Sequence, residues 1–166
     1  TAVIGGTGCG KSTLARLILR FYDVTDGEVA VNGMDVRDMT QNELRSQISY
    51  VPQKAWLFSG TIADNLRYGN EEAQEEELRR ILSVAQADFV SGLANGLDAH
   101  VAQGGTNYSG GQKQRLSIAR ALMKKADLYI FDDSFSALDF KTDAALRKAL
   151  KQEISDAAVL IIAQRI

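Results

Sequence analysis

At 166 residues, 45% hydrophobic and 24% charged, the chain is long enough to bury a core and has the composition of one globular domain. A formal net charge of -2 gives no global attraction to nucleic acid or to anionic membrane. The single cysteine, Cys9, excludes an internal disulfide framework and suits a reducing compartment, and no apolar run approaches membrane-spanning length.

Residues 1–4 read as a short apolar strand running into a glycine loop. Residues 11–21 follow as a helix, with Leu14, Leu17, Ile18 and Phe21 on one stripe. Asp26-Gly27 turns the chain into an alternating strand over 28–31, closed by Asn32-Gly33. Residues 43–47 form a short helix, and 48–51 a strand stopped by Pro52, the only proline. From 61 to 123 the texture is helical. A charged helix covers 71–80, with Ile81, Leu82, Ala85 and Phe89 continuing its apolar face, and Glu75-Glu76-Glu77 reads as a solvated face. A loop-rich stretch over 92–111 precedes a helix over 112–123. A buried strand at 128–131, an amphipathic helix over 142–154 and an apolar strand over 159–163 complete the chain.

Strands alternating with helices imply an α/β fold with a mainly parallel sheet. The expected layout is a core over 1–60 and 124–166, with a small antiparallel β part near 27–33 and an inserted helical lobe over 61–123. The chain starts on Thr1 inside a strand and stops just after another. The expectation is therefore a fragment of a larger polypeptide.

Gly5-Gly6-Thr7-Gly8-Cys9-Gly10-Lys11-Ser12 fits the phosphate-loop pattern G-x-x-x-x-G-K-[ST], between a strand and a helix. Glycines let such a loop curl its backbone N–H groups inward at phosphate oxygens, and the following helix adds its positive end. Lys11 would reach the β- and γ-phosphates, and the hydroxyl of Ser12, next to Thr13, would ligate Mg²⁺. A plain glycine-rich turn does not account for the Lys-Ser pair in this setting. Leu128-Tyr129-Ile130-Phe131-Asp132 is an apolar strand ending in a carboxylate. Asp132 stands where α/β sheets place their sites and would hold Mg²⁺, through water. Tyr108-Ser109-Gly110-Gly111-Gln112 opens a helix. Its capping-box spacing allows a plain helix N-terminus, but two glycines after the cap also suit a second anion-binding surface.

With these motifs in this order, the chain resembles the nucleotide-binding domain of ABC transporters over essentially its whole length. The resemblance implies that the loop from Gly5 to Thr13 cradles ATP. It places Gln53 as the Q-loop glutamine, near catalysis and the metal. Ser109, Gly110, Gly111 and Gln112 match the signature, with Tyr108 in place of its leucine, and Ser136-Ala137-Leu138-Asp139 matches the D-loop. Leu57-Phe58-Ser59-Gly60-Thr61-Ile62-Ala63-Asp64-Asn65-Leu66 is similar to exporter-type domains fused to membrane helices. The interval from Gln53 to Ser109 is too short for the coiled-coil arm of a chromosome-maintenance ATPase. The resemblance implies ATP and Mg²⁺ as cofactors, with a second nucleotide-binding domain and transmembrane domains as partners. Nucleic acid is not among them. Location at the cytoplasmic face of a membrane follows. Two such domains close head to tail, each ATP lying between one phosphate loop and the partner's signature. The adenine-stacking aromatic of the family would lie before Thr1.

Three departures from the family pattern carry the finer reading. Asp133 stands where a glutamate usually activates the attacking water, and its carboxylate is one methylene shorter. Gln164 stands where the switch histidine is expected; it can donate a hydrogen bond but carries no charge. Gln103, within 101–105, replaces a common glutamate. His100 reads as a surface histidine and is no substitute for the switch. Together Asp133 and Gln164 point to the degenerate subunit of a heterodimeric exporter; tolerated variation in an active homodimer is the plainer alternative. An ATP-clamped dimerisation switch with negligible hydrolysis is the alternative, and a non-transporter ABC ATPase is a third.

Overall fold

The computed structural model describes Gly6 and residues 8–163. The strand expected at 1–4 lies outside the described residues, as do Gly5, Thr7 and Gln164.

Three parallel strands form the frame: β3 (Ile48–Val51), β6 (Leu128–Asp132) and β7 (Ala158–Ile162), in the order β3-β6-β7. The central strand reads as a nearly continuous apolar run because helices cover both of its faces. Its alternation divides the core. Ile130 joins Ile48, Ile162, Leu44, Ala15 and Leu19 on one face. Tyr129 and Phe131 join Val51, Leu116, Ile118, Leu146 and Leu150 on the other. Helix α6 (Phe140–Glu153) links β6 to β7, and α1 (Lys11–Ile18) and α2 (Gln41–Ser46) contribute to the first face.

The small antiparallel part is a hairpin of β1 (Ala30–Val31) and β2 (Met34–Asp35). Asn32 and Gly33 turn it at φ 50° and 80°, the two positive values that a primed hairpin turn needs. The strand is shorter than the sequence suggests, starting at Ala30 rather than 28. Helix α1 also stops early, at Ile18 instead of 21: Arg20 turns left-handed at φ 52°, and the N–H of Phe21 reaches back to the carbonyl of Arg16.

The region 61–123 holds α3 (Ile62–Arg67), α4 (Glu75–Val84) and α5 (Gly110–Met123). Its charged helix begins at Glu75 rather than 71, with Gln74 extended before it. Phe89 does not continue that helix. Gln86 ends it at φ 57°, and Phe89 sits in a following 3-10 turn with the Arg115 guanidinium 5.1 Å above its ring. A two-residue ladder, β4 (Gly60–Thr61) against β5 (His100–Val101), also runs through this region, so it is not purely helical and exposed His100 lies in a short strand. Among the described residues no helix is long and apolar enough to cross a membrane.

Candidate nucleotide site

In the described part of the glycine loop two positions take left-handed backbone. Gly8 and Gly10 stand at φ 81° and 93°, and a Cβ added at either would meet nothing within 4 Å. These left-handed values, not lack of room, are what require glycine here. Lys11 folds over the loop, Nζ donating to the Gly6 carbonyl at 2.8 Å and lying 3.5 Å from Cys9 Sγ. Cys9 and Thr13 are exposed. Ser12, in the first turn of α1, donates its hydroxyl to Oδ1 of Asp132 at 2.8 Å, across 120 residues of sequence.

Alternation along β6 explains that meeting. Asp132 follows Ile130 by two, so it points to the face covered by α1. The same periodicity brings in Tyr50. In the parallel register Tyr50 stands beside Ile130, and its hydroxyl donates to Oδ2 of Asp132 at 3.3 Å. Burial, then the charge of Asp132 and the hydrogen bond to it, pushes the Tyr50 phenol up to about 12, so it stays a donor. Sequence reasoning missed Tyr50, because nothing local gives the register of two strands far apart in the chain.

Asp133 turns away from the strand in the left-handed region at φ 49°, its N–H held by the Ile162 carbonyl at 2.8 Å. Its carboxylate accepts from Gln53 Nε2 at 3.0 Å. Gln53 and Asp133, both expected near catalysis, are therefore paired. Ser12, Asp132, Gln53 and Asp133 thus gather at the C-terminal ends of β3 and β6.

The signature residues form a second grouping. Ser109 caps α5, its Oγ accepting from Gln112 N–H at 3.3 Å while Gln112 Oε1 accepts from Ser109 N–H at 2.9 Å. Gly110 is exposed, with open space where a Cβ would be; at Gly111 a Cβ would stand 3.2 Å from the Ala137 carbonyl oxygen. The helix end is thus packed against the D-loop while its first glycine stays open. Asp139 caps α6, accepting from the Thr142 N–H at 3.0 Å and hydroxyl at 2.6 Å; these donors, the hydroxyl first, hold its pKa below the ordinary value.

The oxygen pair Ser12–Asp132 suits a hard divalent cation. Among the described residues no group of three or more His, Cys, Asp or Glu could hold a metal ion.

Residues 1–136 match the family described as ABC transporter. An uncharacterized ABC transporter ATP-binding protein of Mycobacterium tuberculosis is 53% identical across 100% of this chain. An ATP-dependent lipid A-core flippase of Desulfotalea psychrophila is 43% identical across 99% of it. A bacterial Atm1-family ABC exporter, solved with ATP bound, superposes at a TM-score of 0.93 over 97% of the chain, with 39% identity. The chain spans 29% of the length of each of these relatives. By motif order, fold and sequence alike, this chain belongs to the ABC transporter family.

Proposed function

We propose that the chain is the ATP-binding, ATP-hydrolysing part of an ABC exporter, working at the cytoplasmic face of a membrane as half of a head-to-tail pair. The observation that carries this reading is the Ser12–Asp132 contact at 2.8 Å beneath a loop whose glycines take φ 81° and 93°. Phosphates would enter the cradle, with the N-terminus of α1 and Lys11 supplying positive potential. Ser12 and Asp132 would hold Mg²⁺, which would supply charge neutralisation for the bound phosphates. Lys11→Ala in the intact protein should weaken ATP binding by about ten- to hundredfold, the worth of hydrogen bonds to charged groups. Unchanged ATP affinity would sink the reading.

The finer proposal is that hydrolysis at this site is weak and that the partner is a paralogue whose own site turns over faster. Asp133 supports it. Its shorter carboxylate is tied to Gln53 at 3.0 Å, and a general base is worth about 10²–10⁴-fold only within reach of its proton. The glutamine at position 164 adds a neutral group where a cation would be expected. The test is single-turnover hydrolysis in the full assembly with the partner's catalytic base removed. Asp133→Glu with Gln164→His should raise it, and no rise counts against degeneracy. If the unmodified site shows no hydrolysis at all, it acts as an ATP-held clamp.

A groove beside β3 supports a membrane-domain partner. Ile48, Ser49, Phe58, Tyr68, Ser117 and Arg120 help line a cavity of about 330 Å³. Phe58 and Tyr68 are exposed, with the Arg120 guanidinium 5.2 Å over the Phe58 ring. Buried Arg120 Nη1 and Ser117 Oγ have no hydrogen-bond partner among the described residues. Exposed aromatic surface of this kind, lining a groove, is what a docked segment would cover.

A further inference from the structure

Asp132 is 3% exposed, so the direction of each of its oxygens is set by protein atoms rather than by bulk water. Oδ1 accepts from Ser12. Oδ2 accepts from Tyr50, whose ring is held edge-on to Phe21 with centroids 6.4 Å apart, and Phe21 in turn lies 5.5 Å under the Arg45 guanidinium. The phosphate loop and the strand end account for Ser12 and Asp132. They do not account for a phenol reaching the other side of the same carboxylate.

We infer that Tyr50 is a positioning residue of the magnesium site, its hydroxyl holding Oδ2 of Asp132 so that Oδ1 stays turned toward Ser12. The inference rests on the proposed reading of Ser12 and Asp132 as the magnesium-holding pair. Tyr50 would act through Asp132 and not as a ligand itself. It acts on the torsion of one carboxylate, in the way that groups bonded to metal-binding side chains fix their geometry and tune metal affinity. The position is set by register, because Tyr50 stands beside Ile130 and Asp132 is two residues further along the same face.

The test uses the intact protein, with Mn²⁺ as a spectroscopic stand-in for Mg²⁺. Metal affinity is read by electron paramagnetic resonance in the presence of a non-hydrolysable ATP analogue, and analogue affinity is read separately in EDTA. Tyr50→Phe keeps the ring and removes the hydroxyl. It should weaken Mn²⁺ binding about tenfold, the low end for loss of such a partner given a 3.3 Å bond, with metal-free analogue affinity unchanged. Tyr50→Leu, which also loses the ring, should show at least the same metal loss. Wild-type Mn²⁺ affinity in Tyr50→Phe, or an equal loss of metal-free binding, would overturn the inference. Loss in Tyr50→Leu alone would also overturn it, by assigning the effect to packing. Failure of the wild-type protein to bind the metal–nucleotide pair would instead overturn the underlying reading, so the two are separable.

Discussion

Gly10 and Asp133 are the residues where backbone conformation and chemistry are most tightly joined. Gly10 stands at φ 93° just before Lys11, and a side chain there would be strained by its backbone alone, since its surroundings are open. Left-handed backbone costs an ordinary residue about 1–2 kcal/mol. Gly10→Ala should therefore flatten the loop and lower ATP affinity about tenfold, as measured by nucleotide titration. An unchanged affinity would mean that the loop reshapes itself on binding. Asp133, at φ 49°, is a residue type that tolerates this region better than most, and its backbone carbonyl accepts from the Ser136 hydroxyl at 2.9 Å. Exchange for glutamate is thus expected to change reach more than fold. Ser12 and Asp132 were legible in the sequence, because a phosphate loop and a strand-end carboxylate each carry a local pattern. The contacts Tyr50–Asp132 and Gln53–Asp133 were not, because they depend on the register of strands some 80 residues apart.

Three helix starts carry a local capping pattern that the structure realises. Thr40 with Glu43, Thr61 with Asp64 and Ser109 with Gln112 all form reciprocal capping boxes. Hydrogen bonds from Thr61, backbone first, hold Asp64 below the ordinary carboxylate value, and Thr40, hydroxyl first, does the same to Glu43. Asp139 is held down by Thr142. Depressed folded values mean that this stabilisation is complete above the unfolded carboxylate range, near pH 4, and is lost as pH falls through each folded value. Thermal stability should accordingly decline on acidification below about pH 4. The triple change Glu43→Gln, Asp64→Asn and Asp139→Asn should flatten the decline; an unaltered pH profile would show that other carboxylates govern it. A tertiary constraint that no local pattern reveals sits at Gly69. A Cβ there would collide with the Arg120 carbonyl oxygen and stand 2.7 Å from Met123 Cβ, where α3 meets the end of α5. Gly69→Ala should cost about 1–3 kcal/mol as overpacking. Calorimetry should show a lowered Tm with ATP affinity preserved. The ends of α1 and α4 and the β4–β5 ladder were misjudged for a related reason. Left-handed Arg20 and Gln86 stop their helices without glycine or proline, and two-residue strands are too short to alternate.

At the scale of the whole molecule, the nucleotide loop and the signature belong to two groupings that the proposed head-to-tail pair would bring together across an interface. Several observations fit a face that is covered in the assembly. Ser109 and Gly110 are exposed at the start of α5, and Gly111 packs on the D-loop at Ala137. Phe140, the first residue of α6, is 91% exposed, a large apolar surface to leave in water. The capped end of α5 presents free N–H groups to an anion, and Gly110 is the point where nothing hinders that approach. Gly110→Asp separates the fold from the pairing. Its side chain would enter open space on an exposed turn, so chain stability should change by no more than about 0.5 kcal/mol. ATP affinity at this chain's own loop should be unchanged. Its carboxylate would nevertheless face the partner's γ-phosphate, where like charges in a water-poor interface repel strongly. Hydrolysis at the partner's site should fall at least about a hundredfold, the effect of losing a preorganised donor to the transferring group. Turnover measured in the assembled transporter, with this chain's own Asp133 changed to Asn so that only the partner's site reports, would decide. Full activity would mean that this signature completes no site across the interface, and the head-to-tail reading would fall with it.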